Sequence, residues 1–204
     1  MKSIFSPDGS AALRRAVETA ALLVFDFDGT LAPIVDDPAQ AFTPRETAEL
    51  LRGLLRRFPI AVVSGRARHD LVARLGFEPT FLVGNHGAEG LTDAPPPGHE
   101  AAAAWLRARV AAAAPRLDAA GVRFEDKGSS WTLHYRNAPD LASAQREIEA
   151  LLDALHPGLE RLAGKCCVNL VLVGAPTKGH AVQALVARTG ARSVVFMGDD
   201  VTDE

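Results

Sequence analysis

The stretch LLVFDFDGT, residues 22–30, decides the fold. An apolar run that ends abruptly in polar turn residues predicts a strand buried on both faces, as in a parallel sheet. Gly29 can form a tight turn at the carboxyl end of this strand, which is where open α/β sheets bind their ligands. If the strand extends far enough, Asp26 and Asp28 lie on the same face, so we expect both carboxylates to address one reacting atom.

A second apolar run ends in the same way near the end of the chain. SVVFM, residues 193–197, is followed by GDDVTDE, which carries Asp199, Asp200 and Asp203. A single Asp-Gly pair after a strand is often only a turn. Two strand ends with five carboxylates are harder to explain as turns, because converging carboxylates repel one another unless a cation lies among them. The two ends together predict a cation site at one edge of the sheet.

The composition is that of an ordinary globular protein with enough residues for a substantial core. Of the 204 residues, 48% are hydrophobic and 23% are charged, and the net charge is −3. This charge provides no basic surface for nucleic acid or for a membrane, and no apolar run has the length of a membrane span. Adjacent cysteines such as Cys166 and Cys167 rarely bridge each other, which favours a reducing compartment. We therefore expect a cytoplasmic monomer.

The order of the predicted elements indicates a doubly wound α/β core. A helix at 11–20 precedes the first strand, and apolar runs at 60–63 and 80–83 predict two more strands with helices between them. Thr43, Pro44 and Glu46 predict a capping box at the start of the helix after the first strand. The apolar face of that helix is predicted to contain five residues, namely Leu50, Leu51, Leu54, Leu55 and Phe58.

The pattern changes at Asp93, where a proline-rich linker begins. The next elements are predicted to be a helix at 99–114 that Pro115 ends or kinks, strands at 122–125 and 131–135, a helix at 141–155, and strands at 159–162 and 168–173. This order predicts an inserted α+β domain with an antiparallel sheet. The α/β pattern then resumes with a helix at 178–188. We expect a core of residues 1–92 and 177–204, cut short at its C-terminus, and an inserted domain of residues 93–176.

Four groups of polar residues follow these elements in an order that resembles the haloacid dehalogenase superfamily of phosphatases. DFDGT, Ser64, Lys178 and GDDVTDE are similar to its four motifs. The chain more narrowly resembles the trehalose-6-phosphate phosphatases in the segments VVSGR, GNHGAE, EDKGSSWTLHYR and PTKGHAV. This resemblance implies a Rossmann-like core with strand order 3-2-1-4-5 and a C2-type cap formed by the insertion.

The resemblance also implies a Mg²⁺-dependent reaction with a phosphate monoester. Asp26 is expected to attack phosphorus and form an aspartyl-phosphate intermediate, while Asp28 acts as general acid and then as general base. Ser64 and Lys178 are expected to bind the phosphoryl oxygens. The expected Mg²⁺ ligands are Asp26, Asp199 and the backbone carbonyl of Asp28, since carboxylate-rich oxygen sites suit this ion. Thr30, Asp200 and Asp203 are expected to support the site.

Sugar recognition is expected from a larger set of polar residues, namely Arg66, Asn85, His86, Glu125, Lys127, His134, Arg136 and Asn169. For the residues of the insertion, the alternative is a solvated sheet face. Asn169 stands where the family usually has a glutamate, which leaves the sugar open. The predicted function is hydrolysis of trehalose 6-phosphate. The alternatives are a phosphatase for another glycosyl phosphate or a phosphoglycerate glycoside, and a non-catalytic domain that binds a sugar phosphate.

Overall fold

The computed structural model describes residues 6–19, 21–91, 97–164 and 166–199, and the chain forms two compact units. The core unit comprises Met1–Asp93 and Pro176–Glu204, and the inserted unit comprises Ala94–Ala175. The helices are α1 (Pro7–Glu18), α2 (Arg45–Leu54), α3 (Arg68–Arg74), α4 (His99–Ala119), α5 (Leu141–Leu151) and α6 (Lys178–Thr189). The strands are β1 (Leu22–Phe25), β2 (Ile60–Val63), β3 (Phe81–Val83), β4 (Arg123–Asp126), β5 (Trp131–His134), β6 (Leu159–Gly164), β7 (Cys167–Leu172) and β8 (Val194–Met197).

The core unit is built on a parallel sheet of four described strands in the order β3-β2-β1-β8. The two central strands, β1 and β2, are buried along their whole length, which their uninterrupted apolar sequences require. Leu22 and Val24 pack on the α6 side of the sheet, whereas Leu23 and Phe25 pack on the opposite side. Helices thus cover both faces, which confirms the predicted α/β fold with a parallel core.

The start of α2 differs from the prediction. Pro44 precedes the first helical residue and no side chain caps the helix, so the capping box expected from Thr43 does not form. The Thr43 hydroxyl is buried without a hydrogen-bond partner among the described residues, while the Thr43 N–H donates to the Arg74 carbonyl at 3.1 Å. Of the predicted apolar face, Leu51 and Phe58 are buried, whereas Leu50 and Leu54 are exposed. The buried residues of the helix itself are Ala48 and Leu51.

The other helix boundaries also shift. The first helix starts at Pro7 rather than at residue 11, because Ser6 caps it by accepting the Gly9 N–H at 3.1 Å. In the inserted unit, α4 continues through Pro115 to Ala119, so this proline does not end the helix. Ala113 and Leu117 are both buried on either side of Pro115, so packing compensates for the missing N–H.

The inserted unit contains an antiparallel sheet in the order β4-β5-β7-β6, as predicted. One face of this sheet packs on α4 and α5 through a hydrophobic core that includes Trp131, Leu133, Leu170, Leu106 and Ile148. Strand residues alternate between faces, so the polar residues between these positions lie on the other face. Within the described ranges, no helix is long and apolar enough to cross a membrane.

Candidate active site

The residue that follows β1 forms a buried ion pair with the first residue of α6. Asp26 is 4% exposed, and its Oδ1 accepts a hydrogen bond from Lys178 Nζ at 2.9 Å. Both side chains are 6% exposed. A buried carboxylate needs such a cation, because the loss of its hydration is otherwise uncompensated. Two of the residues that the sequence singled out are therefore in direct contact at the carboxyl end of the sheet.

The start of α6 is held firmly, which fixes Lys178. Thr177 caps the helix by accepting the His180 N–H at 3.3 Å, and His180 Nδ1 accepts the Thr177 N–H at 3.2 Å. A Cβ on Gly87 would come within 2.6 Å of the Thr177 carbonyl oxygen, so only glycine allows this approach. A lysine in the first helical turn is disfavoured by the helix dipole, and its ion pair with Asp26 offsets that cost.

Asp28 does not lie on a continuation of β1, which corrects the strand-based expectation. The strand ends at Phe25, and the Phe27 carbonyl accepts hydrogen bonds from the N–H groups of Leu31 and Ala32, both at 2.9 Å. These bonds close a turn, with Gly29 at a φ of +80°. The chain therefore turns after Phe25 instead of continuing as a strand, so the alternation of strand side chains does not apply to Asp28. Asp26 and Asp28 are held by different contacts.

The Asp28 carboxylate is held by Arg66, which was expected to bind substrate. Arg66 Nε donates to Asp28 Oδ2 at 2.8 Å, and Arg66 Nη2 donates to Asp28 Oδ1 at 2.7 Å. Arg66 Nη1 donates to Asp70 Oδ2 at 2.9 Å. Burial alone would lower the pKa of Arg66, but the hydrogen bonds and negative charges of Asp28 and Asp70 outweigh it and raise that pKa. In this structure Arg66 is thus committed to two carboxylates.

Asp199 lies next to the same turn. A Cβ on Gly29 would overlap the Asp199 carboxylate, so this glycine is required both by its positive φ and by the close approach. Thr30, in the same turn, is half-buried. Asp200 and Asp203 lie outside the described residues. The end of β8 and the turn after β1 are therefore brought together, as the two acidic motifs predicted.

The donors at this edge are of the kind that Mg²⁺ prefers. Asp26 and Asp199 supply carboxylate oxygens, and Asp199 lies against the turn that follows Asp26. Among the residues that the structure describes, no group of three or more His, Cys, Asp or Glu side chains is arranged to hold a metal ion. The carboxylate oxygens of Asp26 and Asp199 are suitable Mg²⁺ ligands, and they would form part of a complete set of ligands for this ion.

Ser64 follows β2 at the same end of the sheet. Phe25 and Val62 pair in the register of β1 and β2, so Asp26 and Ser64 follow neighbouring strands. Ser64 is fully buried, and its Oγ accepts the Arg66 N–H at 3.2 Å. The Ser64 carbonyl also accepts the His86 N–H at 3.0 Å. Ser64 therefore lies in a fixed loop beside the Asp26–Lys178 pair.

The loop with Asn85 and His86 is strained and well supported. Both residues have positive φ values, +48° and +58°, which are uncommon outside glycine. Asn85 Nδ2 donates to Glu89 Oε1 at 2.6 Å, and Glu89 Oε2 accepts the Arg68 N–H at 2.7 Å. The His86 ring lies against Gly65, where a Cβ would clash with it. Glu89 was not singled out from the sequence, although it belongs to the GNHGAE segment.

The inserted unit brings several predicted residues to the polar face of its sheet. His134 Nε2 and Glu125 Oε2 are 2.7 Å apart, and Lys127 Nζ lies 3.9 Å from the same oxygen. Burial would raise the pKa of Glu125, but the His134 hydrogen bond and the charges of Lys127, His134 and Arg123 lower it to about 2. The ionised carboxylate is therefore strongly favoured. Arg136 follows β5 and is half-buried.

Asn169 lies on the same face as this charged group. It pairs with Thr132 across β5 and β7, while Glu125 pairs with Thr132 across β4 and β5. Thr132 Oγ1 donates to Asn169 Oδ1 at 2.9 Å. Thr132 is 1% exposed and was missed in the sequence, because a threonine within a strand usually only fills a sheet position.

These features define a class. The parallel sheet that carries DFDGT after its first strand, a serine after its second and a buried lysine that contacts the first aspartate has the fold of a haloacid dehalogenase-like hydrolase from B. subtilis, with a TM-score of 0.59 and 16% identity over 89% of this chain and 84% of that chain. The chain belongs, within that class, to the trehalose-phosphatase family, whose family model matches residues 24–204.

Individual relatives agree with this assignment. A trehalose-phosphate phosphatase from Mycobacterium marinum is 34% identical over 100% of this chain and 53% of that protein. An uncharacterized glycosyl hydrolase from Mycobacterium tuberculosis is 36% identical over 88% of this chain but only 14% of that protein. The C-terminal domain of trehalose-6-phosphate phosphatase from C. albicans has a TM-score of 0.72 and 26% identity, covering 95% of this chain and 75% of that chain. The chain thus spans about half the length, or less, of these curated relatives.

Proposed function

We propose that this chain hydrolyses trehalose 6-phosphate to trehalose and phosphate. Membership of the trehalose-phosphatase family supports the substrate class. The observation that carries the proposal is the buried pair between Asp26 and Lys178, 2.9 Å apart at the carboxyl end of the parallel sheet. An ion pair that costs so much desolvation is weak evidence for stability. A buried nucleophile with an adjacent cation is, in contrast, what phosphoryl transfer requires.

The proposed reaction has two steps with separate roles for the two aspartates. An Asp26 carboxylate oxygen attacks phosphorus, the bond between phosphorus and the sugar oxygen breaks, and Asp28 donates a proton to that oxygen. Asp28 then removes a proton from water as the water oxygen attacks the aspartyl-phosphate, which releases phosphate and restores Asp26. Lys178 and Ser64 bind the phosphoryl oxygens and stabilise the charge that develops on them.

The proposed cofactor is Mg²⁺, held by Asp26, Asp199 and the backbone carbonyl of Asp28. When bound, Mg²⁺ supplies positive charge that offsets the repulsion between the carboxylate and the phosphate dianion. The contact of Asp199 with the turn at Gly29 supports this assignment, because it brings the required carboxylate to that turn. Asp200 and Asp203, together with Thr30, are proposed to support the ligands.

Sugar recognition is proposed to involve the polar face of the inserted unit, with Glu125, Lys127, His134, Arg136 and Asn169. The depressed pKa of Glu125 supports it, because a carboxylate that stays ionised is a strong hydrogen-bond acceptor for hydroxyl groups. Arg66, Asn85 and His86 were expected to join them. The contacts of Arg66 with Asp28 and of Asn85 with Glu89 instead favour supporting roles for these two.

A second candidate is hydrolysis of a different glycosyl phosphate. Asn169 favours it, since an amide hydrogen-bonded to Thr132 stands where the resembled family usually has a carboxylate. An amide offers a sugar hydroxyl one neutral acceptor and one donor, whereas a carboxylate offers only charged acceptors. The two candidates share one reaction and differ in the sugar.

The test is phosphate release from trehalose 6-phosphate by the purified chain, with Mg²⁺ and with EDTA. We expect Mg²⁺-dependent turnover that Asp26→Asn abolishes, since the change removes the nucleophile. Asp36→Asn is the matched control, because Asp36 is exposed in the loop after the same strand. Wild type that binds the ester without cleaving it would establish the non-catalytic alternative, and near-normal activity of Asp26→Asn would exclude the aspartyl-phosphate mechanism.

A substrate panel separates the two candidate functions. Trehalose 6-phosphate, a sucrose phosphate and a glucosyl phosphoglycerate are compared with p-nitrophenyl phosphate, which has no sugar to recognise. We expect trehalose 6-phosphate to give the highest kcat/KM, and Glu125→Ala to reduce it far more than kcat/KM for the aryl ester. Equal losses on both esters would reject the inserted unit as the source of specificity.

A further inference from the structure

The guanidinium of Arg66 lies at the centre of a chain of four charged side chains. Both oxygens of Asp28 accept hydrogen bonds from Arg66, and Arg66 Nη1 donates to Asp70 Oδ2 at 2.9 Å. Asp70 Oδ1 in turn accepts from Arg74 Nε at 2.7 Å. Arg74 is anchored on the carbonyl of Ala39 at 2.5 Å. The chain therefore connects α3 and the loop after β1 to the Asp28 carboxylate.

The burial of these groups is graded. The Arg66 side chain is 12% exposed and the Asp70 side chain is 27% exposed, whereas the Asp28 side chain is 43% exposed. The Arg66 Cζ atom also lies 5.2 Å from the ring centroid of Phe27, which is fully buried. Phe27 lies between Asp26 and Asp28 in the sequence, and its ring contacts the Arg66 guanidinium that holds Asp28. Arg66 is thus a largely buried support for the Asp28 carboxylate, and the Asp28 side chain itself remains partly exposed to solvent.

The geometry leaves part of the Asp28 carboxylate open to a reacting group. A carboxylate has about four lone-pair sites, and the two hydrogen bonds from Arg66 use one on each oxygen. A bidentate guanidinium fixes the plane of the carboxylate as well as its position. Fixed orientation matters most for a proton transfer, since a displacement of about 1 Å from the productive geometry can cost on the order of 10²-fold in rate.

We propose that Arg66, held by Asp70, is a positioning residue that orients Asp28 for proton transfer to the leaving group, rather than a residue that binds the substrate. This inference rests on the proposed function, because it takes Asp28 as the general acid. The inference predicts that the effect of Arg66 on the reaction rate depends on the leaving group. A leaving group that departs as a stable anion needs no proton, so the orientation of Asp28 does not limit its release.

The test compares phenyl phosphate with p-nitrophenyl phosphate, which have similar size and no sugar but differ in leaving-group basicity. Arg66→Gln is expected to lower kcat/KM for phenyl phosphate by about 10²-fold and to change kcat/KM for p-nitrophenyl phosphate by only a few fold. The comparison uses kcat/KM because kcat also contains the hydrolysis of the aspartyl-phosphate, in which Asp28 acts as base for both esters. Asp28→Asn should show the same selectivity, with a loss of about 10²–10⁴-fold for phenyl phosphate. Adding Arg66→Gln to Asp28→Asn should then cause no further loss.

Three further variants separate positioning from support of the fold. Arg66→Lys keeps the charge but cannot form the planar pair, so we expect it to retain most of the defect. Asp70→Asn should give a smaller loss with the same leaving-group selectivity, and it carries the test if Arg66→Gln does not fold. Arg45→Gln is the matched control, because Arg45 forms a 2.8 Å pair with Glu49 while its own side chain is 91% exposed. It should match wild type on both esters.

Several outcomes would overturn the inference. Equal losses in kcat/KM for the two aryl esters would mean that Arg66 only supports the fold or the nucleophile. A weaker inhibition constant for inorganic phosphate in Arg66→Gln, by a factor comparable to the loss in rate, would assign Arg66 to phosphate binding. A further loss in the double variant would show that Arg66 acts independently of Asp28. A wild type that cleaves the aryl esters but not trehalose 6-phosphate would contradict the proposed substrate and leave these comparisons decisive, whereas inactivity on every ester would overturn both proposals.

Discussion

The Lys178→Met variant measures what the buried ion pair contributes to stability. Lys178 and Asp26 are both 6% exposed, so removing the ammonium leaves a carboxylate that is almost without solvent. Breaking a buried pair in this way costs about 3–5 kcal/mol of unfolding free energy. Methionine has a similar length and fills most of the space of the lysine stem, so loss of packing adds little. We expect a destabilisation of about 3 kcal/mol in EDTA.

The assay is urea unfolding followed by far-ultraviolet circular dichroism. Tryptophan fluorescence is unsuitable, because Trp105 and Trp131 both lie in the inserted unit and the perturbed pair lies in the core unit. Asp26→Asn and the double variant complete a double-mutant cycle. The double variant should be more stable than Lys178→Met, since it contains neither buried charge.

The exposed pair of Arg45 and Glu49 provides the control, and Arg45→Met should cost less than about 1 kcal/mol. Added Mg²⁺ should restore part of the stability of Lys178→Met, because a cation at Asp26 replaces the lost charge. A cost below about 1 kcal/mol for Lys178→Met, or a double variant whose destabilisation equals the sum of the two single changes, would refute the argument from desolvation.

Two further variants test the turn and the inserted sheet. Gly29→Ala should destabilise the core unit by more than about 1 kcal/mol and weaken activation by Mg²⁺, since the added Cβ would displace Asp199. The control is Gly190→Ala, because Gly190 also has a positive φ but lies in open space. It should cost less unfolding free energy in the same assay. Wild type should exceed Glu125→Gln in stability at neutral pH by about 1 kcal/mol or less, because the Glu125 side chain is 47% exposed. The pKa of Glu125 is lowered from 4.5 to about 2, so this difference should disappear as the pH falls between those values; a difference that persists in acid would contradict the assignment of that pKa to its ion pairs.

The sequence predicted the central elements well, because their patterns are unambiguous. The strands β1 and β2 are short apolar runs between turn residues, and α6 begins at the residue expected for it. The position of Lys178 at a helix start is unfavourable on local grounds, because the helix dipole disfavours a cation there, and a negatively charged partner offsets this cost. That partner is Asp26, across 152 residues of sequence.

What the sequence did not predict depends on tertiary contacts. The helix α4 passes through Pro115 because buried neighbours on both sides compensate for a local rule. Polar residues such as Asp70 and Glu89 resemble ordinary solvated positions, and only the structure shows that each holds a loop of the site. The spacing of Asp70 and Arg74 by four residues was an available signal, since residues at that spacing lie together on a helical face. Arg66 precedes the helix, so its contact with Asp70 is seen only in the structure.

The two aspartates of DFDGT illustrate how a shared motif produces unlike groups. Carboxylates two residues apart would repel each other if they pointed to one place. Here a separate cation holds each of them, and these cations come from different elements, Lys178 from the start of α6 and Arg66 from the loop after β2. Asp26 becomes a buried group beside a point charge, while Asp28 becomes a partly exposed group held in a fixed plane. Because the turn after Phe25 separates the two, the proposed nucleophile and the proposed proton donor are built from the same residue type within three positions.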